Sequence, residues 1–261
     1  MTQDTLKLLT IGNSYSDDMM QHVYHIAADL GVKQIVLGNL FIGGCPIDRH
    51  ADNALHNTPD YEYRFNNNGT WQTTVAFRLE DAIRAEKWDI ISMQQASAGS
   101  GIPETYARVP ELAAFVRQTA GDHPTFIWHM TWAYPQNSEN DAFARYDKDQ
   151  ATMYRKITEA VNECILPSGL FSTVIPCGTA IQNARTSFVG DTLNRDSVHL
   201  SLGLGRYIAG LTLVHALTGR DLSTLTYRPE GVSEKEMLVA IEAAQHAVAC
   251  PFAVTPSKFI T

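Results

Sequence analysis

The sequence predicts an α/β protein built on a mostly parallel sheet with helices on both faces. Two observations carry that expectation. Short apolar runs alternate with longer stretches of helical spacing, five strands in all, and regular strand–helix alternation produces parallel strands joined by right-handed crossovers. The chain of 261 residues is also 44% hydrophobic, enough to bury a full core without disulfide staples. One domain spanning 1–261 is expected.

The first strand is expected over 5–11, where Leu8, Leu9 and Ile11 are apolar and Gly12-Asn13-Ser14 breaks the run. Met19, Val23, Ile26 and Leu30 then mark a helix over 18–30 that Gly31 closes. The run KQIVLGNLFI (33–42) is the second strand, and Gly43-Gly44-Cys45-Pro46 follow it. Paired glycines there allow either close backbone approach to a ligand or a plain tight turn. Residues 48–75 read as polar, with a β-hairpin insertion around 60–75 turning at Asn68-Gly69 at the sheet edge. Helical spacing resumes over Val75–Glu86, and WDIISM (88–93) is the third strand.

A helix over 104–120, a strand over 124–131, a long helix over 142–165 and a fifth strand over 170–177 follow. TAIQNARTS reads as a short helix and loop, and GDTLNRDSVHLS as an irregular polar segment. A helix over 201–218 has Ser201 as its candidate N-cap and Gly219 as its stop. The last helix, 233–249, places Met237, Leu238, Ile241 and Ala244 on its apolar face.

Composition narrows the function. The formal net charge is −8, and no basic run of five or more residues occurs. That argues against nucleic acid or an anionic membrane as partner and for a neutral or small-molecule substrate. The chain does not indicate an oligomeric state. Cys45, Cys164, Cys177 and Cys250 form no C-x-x-C pair, which suits reduced thiols, or two disulfides in an exported protein. No apolar run reaches the roughly 18 residues of a membrane span. The N-terminus shows no leader pattern, so the expected compartment is cytoplasmic, or secreted or periplasmic if a leader was removed. Nucleotide-binding glycine motifs are absent, and no cofactor is expected.

The chemistry converges on a serine. A serine on the sharp turn leaving the first strand of a parallel sheet lies at the carboxyl edge, where ligands bind. A hydroxyl nucleophile needs a base and an orienter for that base. Asp196-Ser197-Val198-His199 can supply both. The expected roles are Ser14 as nucleophile, His199 as base and Asp196 as its partner. His199 is placed just ahead of a helix N-cap, where the helix dipole favours a neutral imidazole. The backbone N–H groups of Ser14 and Gly44, with the amide of Gln95 or Gln94, are candidate oxyanion donors; the two glutamines can equally be loop caps. Trp132 and Tyr134 are either substrate contacts or packing, and Asn13 and Gln94 are further possible contacts. His129 reads as a core histidine. His22 and His25, three apart on a helix, are either surface or packed histidines or two metal ligands. With His50 they would make a metal-dependent hydrolase, a weaker reading than a metal-free one.

These residues resemble the SGNH, or GDSL-like, hydrolase superfamily. Gly12-Asn13-Ser14 corresponds to its first block, Gly43 or Gly44 to the second, and Asp196 with His199 to the D-x-x-H of the last. The likeness is closer still to one bacterial branch. It is carried by Ile11–Ser16, Asn39–Cys45, Trp88–Ser97, Thr131–Pro135, Gly178–Arg185 and Arg195–Ala209, nearly the whole chain. The resemblance implies a flavodoxin-like three-layer α/β/α sandwich with about five parallel strands. It also implies a metal-free Ser-His-Asp esterase acting on esters, often O-acetyl groups of carbohydrates. Two departures stand out. Asn13 replaces the aspartate of G-D-S, and Gln94-Gln95 stand where G-x-N-D is expected. The second departure leaves a non-catalytic carbohydrate-binding or scaffold module as the alternative function.

Overall fold

The computed structural model describes residues 4–261; residues 1–3, part of the stretch read for a leader, lie outside it. Seven strands form one sheet: β1 (Thr5–Gly12), β2 (Gln34–Phe41), β3 (Tyr61–Asn66), β4 (Gln72–Phe77), β5 (Ile90–Met93), β6 (Thr125–His129) and β7 (Thr173–Ile175). Their order is β4-β3-β2-β1-β5-β6-β7. The five expected strands are the parallel ones, β2, β1, β5, β6 and β7. The hairpin β3–β4 joins the same sheet antiparallel to β2, which raises the strand count to seven. Its turn is closed by Asn66, whose Oδ1 accepts from the N–H groups of Asn68 and Gly69 at 3.3 and 2.8 Å.

The helices are α1 (Ser14–Met20), α2 (Val23–Asp29), α3 (Ile47–His56), α4 (Leu79–Arg84), α5 (Val109–Ala120), α6 (Gln150–Ala160), α7 (Cys177–Arg185), α8 (Leu204–Thr218) and α9 (Glu234–Ala249). One layer packs α1, α2, α7, α8 and α9 together, and the other groups α3, α4 and α5. Leu6, Leu8, Leu9 and Ile11 of β1 are all buried. Neighbouring residues point to opposite faces of a strand, so β1 is covered on both sides, as a central parallel strand must be.

Several elements differ from the expectations. The helix expected over 18–30 begins at Ser14 and breaks after Met20 into α1 and α2. The polar stretch 48–75 contains a full helix, α3. It buries Ile47, His50, Ala51 and Ala54, a helical stripe that its polar residues conceal. The helix expected over 142–165 is a 3₁₀ turn, then α6, then a π-turn over Val161–Ile165. Helix α8 starts at Leu204 with Gly203 as N-cap, so Ser201 is not the cap; its Oγ accepts from Gly205 N at 2.9 Å. Gly219 ends α8 in the left-handed conformation, as expected. Helix α9 carries a capping box between Ser233 and Glu236. Its buried face runs through Val239, Ala240, Ala243, Ala244 and Ala247, and Leu238 points to solvent.

The strand register positions the site. Gly12 pairs with Phe41 and Ile11 with Met93, so β1, β2 and β5 end level with one another. From β1 the chain crosses to β2 on one side and later reaches β5 on the other. This reversal opens a crevice at the carboxyl ends of β1 and its neighbours, the place where doubly wound sheets bind ligands.

Candidate active site

Asn13 builds the turn that presents the serine. It is the N-cap of α1, and its Oδ1 accepts from Tyr15 N at 3.0 Å. Its Nδ2 donates to Cys45 O at 3.0 Å, tying the turn after β1 to the loop after β2. Gly12 is required beside it. A Cβ there would lie 2.7 Å from Ser16 Oγ and 2.9 Å from Gln94 Oε1. Ser14 is the first residue of α1, so its N–H has no intrahelical acceptor.

The structure brings the three expected residues together. Ser14 Oγ lies 2.8 Å from His199 Nε2, and His199 Nδ1 lies 2.8 Å from Asp196 Oδ2. The other carboxylate oxygen of Asp196 accepts from the N–H groups of Val198 and His199 at 2.8 and 2.7 Å. Burial pushes the Asp196 carboxyl up, but those backbone donors and the His199 ring outweigh it and hold the group below its usual value of 3.8. An ionised carboxylate only accepts, so Nδ1 carries the ring proton and Nε2 is left to accept from the serine. The tautomer is therefore set by Asp196. The expected helix-dipole effect does not apply, because α8 begins well past His199.

The loop carrying Asp196 and His199 is pinned from several directions. The Val198 carbonyl accepts from Tyr15 OH at 2.9 Å, Trp132 Nε1 at 3.0 Å and Asn194 Nδ2 at 3.4 Å. Asp18 on α1 is wholly buried and accepts from Arg195 Nη1 at 2.9 Å, Arg206 Nε at 2.8 Å and Leu200 N at 2.8 Å. Arg195 also bonds Leu200 O. Asp17 adds ion pairs to Arg64 of β3 and to Arg206. The helix that carries Ser14 thus also holds the loop that carries His199. Sequence reasoning missed Asp18, Arg195, Arg206 and Tyr15. The signal was the position of Arg195 and Arg206 within the segment Arg195–Ala209, close to His199 on both sides.

Other expected site residues have different roles. Gln95 is committed inside the protein: Nε2 donates to Thr105 O at 2.6 Å, and Oε1 accepts from Ile47 N and Ala96 N. It does not line the cavity at Ser14, so the expected third oxyanion donor is corrected. Gln94 lies behind Asn13, donating to its Oδ1 at 2.9 Å and pairing through Oε1 with His129 Nδ1 at 2.9 Å. Both glutamines act as internal struts and not as substrate contacts. Trp132 is fully buried and stacks on Tyr15 at 4.1 Å and 11°, which excludes it as a sugar platform. His129 is the core histidine expected, its pKa pushed down to about 3 by burial.

A cavity of about 280 Å³ opens at Ser14 and His199, lined also by Asn13, Gly44, Ala96, Ser97, Tyr134 and Asn140. Gly44 adopts φ +62°, and a Cβ there would meet open space. Backbone conformation, and not crowding, therefore calls for glycine. A second, polar cavity of about 320 Å³ lies on the outer side of the same loop, lined by Asn137, Glu139, Asp191, Arg195, Asp196 and Ser197, among others.

His22 pairs with Tyr227 and the Leu202 carbonyl, whereas His50 pairs with Tyr61. Among the described residues no three His, Cys, Asp or Glu side chains gather as a metal set. All four cysteines are free thiols. No helix among the described residues is long and apolar enough to cross a membrane.

The fold is that of the SGNH hydrolases. A candidate SGNH hydrolase from Slackia heliotrinireducens aligns with a TM-score of 0.51 at 18% identity, covering 82% of this chain and 99% of its own. The chain itself belongs to the DUF4886 family, described as a domain of unknown function, whose profile matches residues 7–247. A DUF4886 family protein from Bacteroides uniformis, known from its crystal structure, is 40% identical with a TM-score of 0.95. That match covers 98% of this chain and 100% of the other. No curated protein matches the chain.

Proposed function

We propose that this protein is a serine ester hydrolase working through an acyl-serine intermediate. The observation that carries the proposal is the unbroken hydrogen-bond chain from Ser14 through His199 to Asp196 at the carboxyl edge of the sheet. Ser14 Oγ attacks the ester carbonyl as its proton passes to His199 Nε2. The carbonyl electron pair moves onto oxygen, where the N–H groups of Ser14 and Gly44 receive it. Collapse of this adduct breaks the bond to the alcohol, which takes the proton back from His199. Water then repeats the sequence on the acyl-enzyme, and Asp196 stabilises the imidazolium in both halves.

A fluorophosphonate probe is expected to label the wild-type chain and not Ser14→Ala. Equal labelling of the two would remove Ser14 as the nucleophile.

The substrate we propose is an O-acetyl group on a carbohydrate. Gly44, Ala96 and Ala98 in the cavity wall leave room for a short acyl chain. The polar cavity beyond Asp196 suits a polyhydroxylated alcohol better than an apolar one. Acetylated sugars should be cleaved faster than aryl esters of longer acids, and the reverse preference would refute this substrate. A second reading is favoured by the two glutamines, whose amides are engaged internally. It is a carbohydrate-binding module without turnover, which predicts glycan binding and no hydrolysis of p-nitrophenyl acetate. Hydrolysis that His199→Ala abolishes would rule it out.

A further inference from the structure

We propose, resting on the ester-hydrolase reading, that the hydroxyl of Ser97 is the third oxyanion donor and that Tyr134 orients it. The strand order places the ends of β2, β1 and β5 side by side. Gly44 follows β2, Ser14 follows β1 and Ser97 follows β5, and all three line one cavity with His199. The register Ile11 to Met93 sets the turn after β5 beside the turn that carries the nucleophile. The side-chain amides and the first backbone N–H at the same strand end are already engaged. Gln94 Nε2 is on Asn13, Gln95 Nε2 is on Thr105, and the N–H of Ala96 is on Gln95.

The Ser97 hydroxyl is held by one neighbour. Tyr134 OH lies 2.9 Å from Ser97 Oγ. The Tyr134 ring is buried and held edge-on by Phe143, with centroids 5.7 Å apart. Either hydroxyl of this pair can donate, and with Tyr134 as the donor the Ser97 oxygen is the acceptor. Ser97 then has its own O–H to give. Tyr15 OH, also on the cavity wall, is committed to Val198 O. An oxyanion forming in the cavity is a strong acceptor, since charge-assisted hydrogen bonds are about twice as strong as neutral ones. The backbone beneath is fixed: the Ser97 carbonyl accepts from Ser100 Oγ at 2.9 Å within a 3₁₀ turn. A hydroxyl donor supported by a tyrosine would thus replace the asparagine that the sequence lacks.

The test is steady-state hydrolysis of p-nitrophenyl acetate by the full chain, with melting temperature followed in parallel. Ser97→Ala is expected to lower kcat about 10²–10³-fold, with KM little changed and the pH profile unmoved. Ser97→Thr should recover most of the rate, because it restores the hydroxyl. Tyr134→Phe should lower kcat about tenfold, with the probe still labelling Ser14. Ser97→Cys, of similar size with a weaker donor, carries the test if the alanine variant fails to melt cooperatively. Kcat within threefold of wild type in Ser97→Ala, or in Ser97→Cys in that event, would overturn the proposal while leaving the hydrolase reading intact. Absence of turnover in the wild type would overturn that reading and, with it, the role of Ser97.

Discussion

Asp196 shows how few atoms the site needs to define its chemistry. One carboxylate oxygen accepts two backbone N–H groups and the other accepts the imidazole, so a single side chain shapes its own loop and selects the tautomer of His199. Asp196→Asn presents an amide to Nδ1 in place of an anion. We expect p-nitrophenyl acetate turnover to fall by about 10⁴-fold with the fold intact. A fall of less than tenfold would mean that the carboxylate does not set the tautomer. The meeting of Ser14, His199 and Asp196 was legible in the sequence because each sits beside a signal, Ser14 at a strand-ending glycine turn and the other two in one short motif. Gln95 was misassigned because its position at a strand end says nothing about where its amide points. That direction depends on Thr105 and Ile47, which approach only in the folded chain.

At the level of elements, α1 joins Ser14 to the loop of His199. Asp18 takes three donors from the His199 loop and α8 while wholly buried. Removing one partner of a buried ion pair costs about 3–5 kcal/mol, because the others are left uncompensated. Asp18→Ala should therefore lower the melting temperature strongly and reduce turnover beyond the loss of folded protein. Full specific activity in its folded fraction would show that the network does not position His199. Ser233→Ala is the contrasting case. Losing the capping box of α9 should cost about 1 kcal/mol and leave kcat unchanged, as measured by denaturation and by turnover. The five parallel strands were legible from apolar runs, and the ends of α8 and α9 from Gly219 and the Ser233 region. Helix α3 was not, because His50 and Asn53 are buried within it and break the apolar pattern that would have revealed it. The ion-pair network was equally hidden, since Asp18, Arg195 and Arg206 are ordinary charges until three segments meet.

For the molecule as a whole, the core imposes a pH dependence. Burial pushes His50 and His129 down to about 3 from 6.5, so both are neutral in the folded protein. Each takes up a proton on unfolding at any pH between those values. Their stabilisation is complete above about 6.5 and is lost as the pH falls toward 3, at up to about 1.4 kcal/mol per pH unit for each. The melting temperature should drop as the pH is lowered from 7 to 5, and His129→Gln should flatten that slope. An unchanged slope would show that His129 is not held neutral by the core.

The contact between Ser14 and His199 spans 185 residues of chain. During synthesis Ser14 emerges well before His199. At roughly 5–20 residues per second, the interval is about 10–40 s. On the proposed mechanism, the nascent chain through that time holds a hydroxyl with nothing to activate it, and a reactive ester cannot trap it. Long-range closure of this kind is also slow in refolding. Recovery of probe labelling should then follow the slowest refolding phase, making the serine a reporter of completed folding.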